Sequence, residues 1–354
     1  MKITRRQFVQ AMAVAGASAL LTACGGSSNN SAAGSTAASG AAAAAGGSFN
    51  LKLGHNLAED HAVHIQLTSF AEQVKEKTNG TVNIQIIPNG TLGSESDMIS
   101  QIQAGALDMA KVSASTLGNF SEKYNAFSVP YVFDDQDHYY TYMDSDSAQA
   151  VFESTDDQGF RGLTWLDSGA RSFYTKATAI RTPADLKGLK IRVQDMKSQT
   201  DMMNYLGGIP VAMSYGDVYT SLQTGIIDGT ENNETALTTG KHGEVCKVYS
   251  VDQHAMIPDV LIMSEKVWKQ ISPEDQEIIL EAAHNSTEAH KVMWDTAIEE
   301  AVKEAQETMG VEFVYDVDKE AFREATQPMI EAYEEQYPGV KTLMDTIEAA
   351  REGE

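Results

Sequence analysis

Residues 182–193 read TPADLKGLKIRV, and this stretch carries the local signals that assign the fold. Thr182 followed by Pro183 is typical of a helix start, because proline is tolerated in the first helical turn. Residues 189–193 alternate as a strand, in which Arg192 points away from the side that Ile191 and Val193 share. A helix start followed directly by a strand predicts a chain that alternates between the two.

The same alternation continues on both sides of this stretch. The pattern of apolar residues predicts strands near 51–53, 82–86, 106–112, 162–166 and 259–263, and helices near 63–79, 94–105, 134–153, 200–206 and 214–225. Alternating strands and helices favour an α/β fold. A helix predicted over 272–309 would be about 55 Å long at 1.5 Å per residue, so we expect it to brace two lobes.

Chain length also favours two lobes. The folded part begins near residue 49, and the roughly 306 residues from there approach the upper size for one hydrophobic core. We expect one lobe over 49–168 plus 258–297 and a second over 169–257 plus 298–354.

The N-terminus predicts export. Arg5 and Arg6 precede an uncharged apolar run over 9–21, and LTAC follows at 21–24. This order is that of a signal peptide, and the apolar run is too short to span a bilayer. We expect a lipoprotein signal over 1–23, lipidation of Cys24, and a flexible Gly/Ser/Ala linker over 24–48. The protein would be periplasmic or at the cell surface, lipid-anchored to a membrane, with twin-arginine and general secretion both open as routes.

Charge excludes one class of partner. The formal net charge is −24 at pH 7, and a chain this acidic repels nucleic acid. An anionic ligand would likewise gain nothing from the overall field, so a few local cations would have to bind it.

No catalytic motif stands out, and we expect neither an enzyme nor a cofactor. His55, His61 and His64 form the one histidine group beside acidic residues. They leave open a metal-binding lipoprotein as an alternative, although solvated or packed histidines at a helix start are the simpler interpretation.

Two arginines predict a carboxylate site. Arg192 lies near the end of its strand, and ligands of open α/β sheets bind at the carboxyl ends of strands. Arg171 follows a turn at 167–170, just after the predicted strand 162–166, and it can reach the same space. A guanidinium holds a carboxylate through two parallel hydrogen bonds.

At family level, four blocks occur in order: GAR at 169–171, DLKGLKIRV at 185–193, GGIPVAMSY at 207–215 and YTSLQTGIIDGTEN at 219–232. GHN at 54–56, PNGTLG at 88–93 and GALD at 105–108 precede them. Together they resemble the DctP-type solute receptors of TRAP (tripartite ATP-independent periplasmic) transporters. The resemblance covers nearly all of 49–354 and implies a two-lobed fold of the class II periplasmic-binding type, in which a long helix spans both lobes.

The resemblance also implies the site. Arg192 matches the main carboxylate-binding arginine and Arg171 the second basic residue. The remaining matches are polar or aromatic cleft positions: Asn232, Tyr215, Asn56 and Ser113. Since Ser113 stands where sialic-acid receptors carry an acid, sialic acid is disfavoured.

Ligand and partner follow from the family role only in outline. The expected ligand is an organic acid, either a sugar acid such as a hexuronate or a C4-dicarboxylate. The expected partners are the small and large permease subunits, with the receptor a monomer. A receptor that feeds a signalling partner instead of a permease is the other open alternative.

Overall fold

The computed structural model describes residues 48–351, so the predicted signal, Cys24 and nearly all of the linker lie outside the described residues. Its strands are, in chain order, β1 (Phe49–Gly54), β2 (Val82–Ile87), β3 (Met109–Ser113), β4 (Phe160–Leu166), β5 (Ala170–Thr175), β6 (Lys190–Val193), β7 (Ile209–Ala212), β8 (Gly229–Asn232), β9 (Val248–Met256), β10 (Asp259–Ser264) and β11 (Glu312–Val314).

The α-helices are, in chain order, α1 (Ala62–Lys77), α2 (Glu95–Ala104), α3 (Ala114–Leu117), α4 (Gln136–Met143), α5 (Asp146–Glu153), α6 (Lys197–Tyr205), α7 (Val218–Thr224), α8 (Thr235–Thr238), α9 (Glu265–Trp268), α10 (Pro273–Glu307), α11 (Lys319–Gln336) and α12 (Pro338–Arg351). Short 3-10 turns occupy Glu122–Ser128, Asp156–Gln158, Pro183–Leu186, Tyr215–Asp217 and His242–Glu244. In the described range no helix is long and apolar enough to cross a membrane.

Two separate sheets confirm the α/β prediction. The first has the order β2-β1-β3-β10-β4, and the second β11-β9-β5-β8-β6-β7. In the first sheet β1 is parallel to β2 and β3, and β10 runs antiparallel to β3 and β4. In the second, β6 is parallel to β7 and β8. The chain therefore passes from the first sheet to the second between β4 and β5, returns between β9 and β10, and crosses again between β10 and β11.

Helix α10 spans both halves, as the sequence predicts. It has 35 residues and starts at an N-cap, Ser272, whose side chain accepts a hydrogen bond from the backbone N–H of Asp275. Near its start, Ile279 and Ala283 are buried in the core beside the first sheet, and near its end Ala305 is buried beside the second. One helix is thus part of two hydrophobic cores.

Several local predictions fail for identifiable reasons. The helix predicted over 134–153 is two helices, because Ser145 caps α5 and interrupts the chain after α4. The helix predicted over 214–225 starts only at Val218, because Tyr215–Asp217 form a 3-10 turn before it. The sequence does not predict strands β5, β7, β8 and β9, and Arg171, expected just after a turn at 167–170, lies on β5. Strand β8 has the sequence GTEN and is buried throughout, so no apolar alternation marks it.

The predicted lobe boundaries remain a prediction. All strands of each sheet come from the chain segments expected for its lobe. The C-terminal helix differs from the expectation. Helix α12 packs on the Glu122–Ser128 turn and on α4, both from the first half of the chain. This packing favours grouping 338–351 with 49–168 instead of with the second lobe.

Replacing Gly229 by alanine should destabilise the second sheet. A Cβ at Gly229 would lie 2.5 Å from the carbonyl oxygen of Tyr174 and 3.0 Å from Thr175 Cα, both on the neighbouring strand β5. We expect Gly229→Ala to lower the free energy of unfolding by about 1–3 kcal/mol, measured by urea denaturation. Gly216→Ala is the matched control, since a Cβ there has no atom within 4 Å. Equal stability of the two variants would contradict this packing.

Candidate functional site

A cavity of about 400 Å³ lies between the two sheets, at the carboxyl ends of their parallel strands. Strands β1 and β3 reach it from the first sheet, and β6 and β8 reach it from the second. Every position that the sequence predicts for ligand binding lines this one cavity: Asn56, Ser113, Arg171, Arg192, Tyr215 and Asn232. The structure thus brings the predicted residues together, and their roles in binding stay a prediction.

Arg192 is a buried cation at the cavity wall. It lies on β6 between Ile191 and Val193, and 3% of the residue is exposed. Its Nε and Nη2 both donate to the carbonyl oxygen of Met213, at 3.0 and 2.8 Å. Within the described range no carboxylate oxygen lies within 4.0 Å of it. Burial, together with the nearby Arg171, lowers the pKa of Arg192, but a guanidinium stays charged at neutral pH.

Arg171 differs because its charge is already paired. Its Nε and Nη2 donate to the two carboxylate oxygens of Glu231, at 2.5 and 3.0 Å. Its Nη1 donates to Asn232 Oδ1 at 3.0 Å. Although burial raises the pKa of Glu231, Arg171 and His254 lower it to about 2. The two arginines therefore share one cavity, but Arg171 is held in a bidentate ion pair and Arg192 is not.

The ion pair continues into a buried chain of alternating charges. His254 Nε2 lies 3.5 Å from Glu231 Oε2, and His254 Nδ1 lies 2.7 Å from Asp252 Oδ2. Burial lowers the pKa of His254, but Asp252 and Glu231 outweigh it and raise the pKa to about 9. Arg171, Glu231, His254 and Asp252 thus balance one another in charge. Sequence reasoning missed Glu231, His254 and Asp252. The spacing of Asp252 and His254, two residues apart on β9, was the available signal for those two.

A second buried cluster of charges, one lysine with two carboxylates, lies on the first-sheet side. Lys111, 2% exposed, places Nζ 3.0 Å from Asp259 and 3.4 Å from Glu95. Glu95 also accepts hydrogen bonds from the Ser113 backbone N–H, from Thr116 Oγ1 and from Asn56 Nδ2, at 3.1, 2.7 and 3.1 Å. Sequence reasoning missed this cluster, because Lys111 and Asp259 lie 148 residues apart.

The remaining predicted positions complete the second-sheet wall. Asn232 Oδ1 accepts from Arg171 and also from the Asn233 backbone N–H at 2.9 Å, so its amide is held in one orientation. The ring of Tyr215 lies 5.6 Å from that of His242. Burial raises the pKa of Tyr215, so the phenol stays neutral and presents a hydroxyl and a ring face.

The three histidines do not converge on a metal site. His55 Nε2 lies 2.9 Å from His64 Nδ1, whereas His61 caps α1 and places Nε2 3.1 Å from Thr235 Oγ1. Burial, reinforced by Lys111, lowers the pKa of both His55 and His61 to about 3. Between residues 48 and 351 no group of three or more His, Cys, Asp or Glu side chains is placed to hold a metal ion. The packed interpretation of these histidines is the one that the contacts support.

The sequence matches a known family over most of its length. Residues 53–336 match the family model for DctP, described as bacterial extracellular solute-binding protein, family 7. A solute-binding protein of Chromohalobacter salexigens is 33% identical over 80% of this chain and 84% of its own length.

Solved structures share the fold. A TRAP periplasmic solute-binding protein of Anaerococcus prevotii, with bound α/β-D-glucuronate, is 38% identical, with a TM-score of 0.84 over 86% of this chain and 99% of its own. One from a Sulfitobacter species, with bound β-D-galacturonate, is 34% identical, with a TM-score of 0.81 over 84% and 98%. These neighbours are substrate-binding receptors, which confirms the expectation of a protein that is not an enzyme.

His254→Gln should destabilise the protein most at acidic and neutral pH. Because the pKa of His254 is about 9 in the folded protein and 6.5 unfolded, its stabilising charge is fully present below pH 6.5 and is lost as the pH rises through 9. The substitution leaves buried carboxylates short of a cation, so we expect a loss of about 3–5 kcal/mol at pH 6 and a clearly smaller loss at pH 10.

Thermal and urea unfolding at both pH values measure this difference. His284→Gln, at an exposed position on α10, is the control and should leave stability nearly unchanged. A deficit that does not shrink between pH 6 and pH 10 would argue against a charged His254.

Proposed function

Because the chain belongs to the DctP family of bacterial extracellular solute-binding proteins, we propose that it is the solute receptor of a TRAP transporter for a sugar acid with one carboxylate. The receptor binds this acid in the cavity between the two sheets and delivers it to the small and large subunits of a membrane permease. D-Glucuronate and D-galacturonate, the ligands of the similar solved structures, are the first candidates.

The observation that carries the proposal is the unpaired charge of Arg192. Burying a charge without an ion pair is costly, so a partner from outside is favoured. Met213 occupies Nε and one proton of Nη2, which leaves the Nη1–Nη2 edge of the guanidinium for a carboxylate. Two parallel charge-assisted hydrogen bonds of about 1.5–3 kcal/mol each would bind it there.

Charge balance supports a monocarboxylate over a C4-dicarboxylate. Of the three cations that line the cavity, Arg171 is paired with Glu231 and Lys111 lies between Glu95 and Asp259. A second ligand carboxylate would find no unpaired Lys or Arg among the described residues that line the cavity, and it would lie near carboxylates of the cavity wall. The remaining amide and hydroxyl side chains of the cavity are better suited to the hydroxyl groups of a sugar acid.

The other predicted positions take supporting roles in this proposal. Arg171 fixes Asn232 beside the ligand carboxylate through its Nη1, and Tyr215 covers one face of the sugar. Asn56 and Ser113 contact the far end of the ligand. We further propose a periplasmic or cell-surface monomer tethered through a lipidated Cys24.

Arg192→Ala should weaken binding of D-glucuronate at least a hundredfold, because it removes the charge and both hydrogen bonds that hold the carboxylate. Arg192→Lys should also bind weakly, since it keeps the charge but loses the planar fork. Isothermal titration calorimetry with D-glucuronate and D-galacturonate measures both. Arg181→Ala, which breaks an exposed ion pair with Asp316, is the matched control. An unchanged Kd in Arg192→Ala would remove this residue from the site.

Wild-type protein should bind D-glucuronate about a hundredfold more tightly than D-glucarate or succinate. D-Glucarate has the same carbon skeleton but carries a second carboxylate, and like charges brought together in an interface cost several kcal/mol. Competition calorimetry in one buffer compares the three ligands. Tighter binding of succinate would favour the C4-dicarboxylate alternative, whereas tighter binding of D-glucarate would contradict the argument for a single carboxylate.

A further inference from the structure

Gln194 lies beside Arg192 in the cavity, at a position that the sequence did not single out. It follows β6 directly and stands two residues after Arg192, so the two side chains leave the extended chain on the same side. Its Nε2 lies 3.1 Å from Ser113 Oγ, at the end of β3 in the other sheet. Its Oε1 is buried and has no hydrogen-bond partner among the described residues.

Asn56 shows the same pattern from the opposite wall. Its Nδ2 donates to Glu95 Oε1 at 3.1 Å, and its Oδ1 is buried without a partner. A carboxylate can only accept hydrogen bonds, so the nitrogen of Asn56 must face Glu95 and the oxygen must face away from it. Two amides that line the cavity, one from each sheet, are therefore each bonded through nitrogen and short of a donor at oxygen.

An amide oxygen can only accept hydrogen bonds, so its partner in the ligand must be a donor. Buried acceptors are nearly always paired in native proteins, so each of these oxygens calls for a donor. A ligand carboxylate or ketone cannot donate, whereas a hydroxyl can. The carboxylate of the ligand belongs at Arg192, and the group that reaches Gln194 must then be a hydroxyl of the same molecule.

We propose that Gln194 is a specificity-determining residue, whose Oε1 accepts a hydrogen bond from one hydroxyl of the sugar acid while Asn56 Oδ1 accepts from another. The proposal rests on the proposed function, because it assumes that the ligand carboxylate lies at Arg192. Beyond the proposed function, it states which residues recognise the hydroxyl groups of the ligand. Since the nitrogen of Gln194 contacts Ser113, recognition of this hydroxyl also strengthens a contact between the two sheets.

A cycle of variants and ligands tests the proposal. Gln194→Met keeps the length of the side chain and removes its hydrogen-bonding atoms, and Gln194→Leu is a second apolar variant in case the first folds poorly. Gln103→Met is the matched control, because it makes the same replacement at an exposed glutamine of α2 that does not line the cavity. The ligands are D-glucuronate and its monodeoxy analogues, and calorimetry gives Kd for each pair after thermal unfolding has checked the fold.

We expect Gln194→Met to bind D-glucuronate about tenfold more weakly than wild type, with the loss vanishing for one particular monodeoxy analogue. Gln103→Met should leave the Kd of every ligand unchanged. A loss in Gln194→Met that is equal for all analogues, or no loss at all, would overturn the role of Gln194 while leaving the proposed function intact. If wild-type protein binds no sugar acid, the proposed function fails and this inference fails with it.

Discussion

A positive charge held out of water is the constraint on which the site depends. The guanidinium of Arg192 is buried at the cavity wall, and its hydrogen-bond partner is the backbone carbonyl oxygen of Met213. Water can no longer solvate it fully, and no carboxylate within the described residues neutralises it, so an incoming anion gains more there than on the surface. The rest of the cavity is arranged so that this charge stays available.

The other two cations of the cavity wall are already paired with carboxylates, which leaves the charge of Arg192 available to a ligand. Arg171, Glu231, His254 and Asp252 form a chain of alternating charges behind one wall, and Lys111 lies between two acids at the other. Each of these cations has a carboxylate partner within its own cluster, and none of these carboxylate oxygens lies within 4.0 Å of the Arg192 guanidinium. The formal net charge of −24 works against any anion approaching from solution. Affinity must therefore come from short-range contacts, which also favours specificity over general attraction.

The sequence predicts what is local and misses what is long-range. The alternation of Ile191, Arg192 and Val193 was enough to place one arginine correctly, because strand periodicity is a local property. The strand that carries Arg171 is missed, since β5 follows β4 so closely that only the turn between them is visible in the sequence. Glu231 lies in a strand that is polar and fully buried. Its role as the ion-pair partner of Arg171 can be recognised only in the folded structure. Lys111 and Asp259 meet across 148 residues, a distance that no spacing rule covers.

Helix α10 has a mechanical consequence for how ligands enter. Its start is embedded in one core and its end in the other, and a hydrogen-bonded helix resists both stretching and compression along its axis. The two halves of the receptor cannot simply draw apart to admit a ligand. Any change in their separation therefore requires a rotation about this helix or a bend in it.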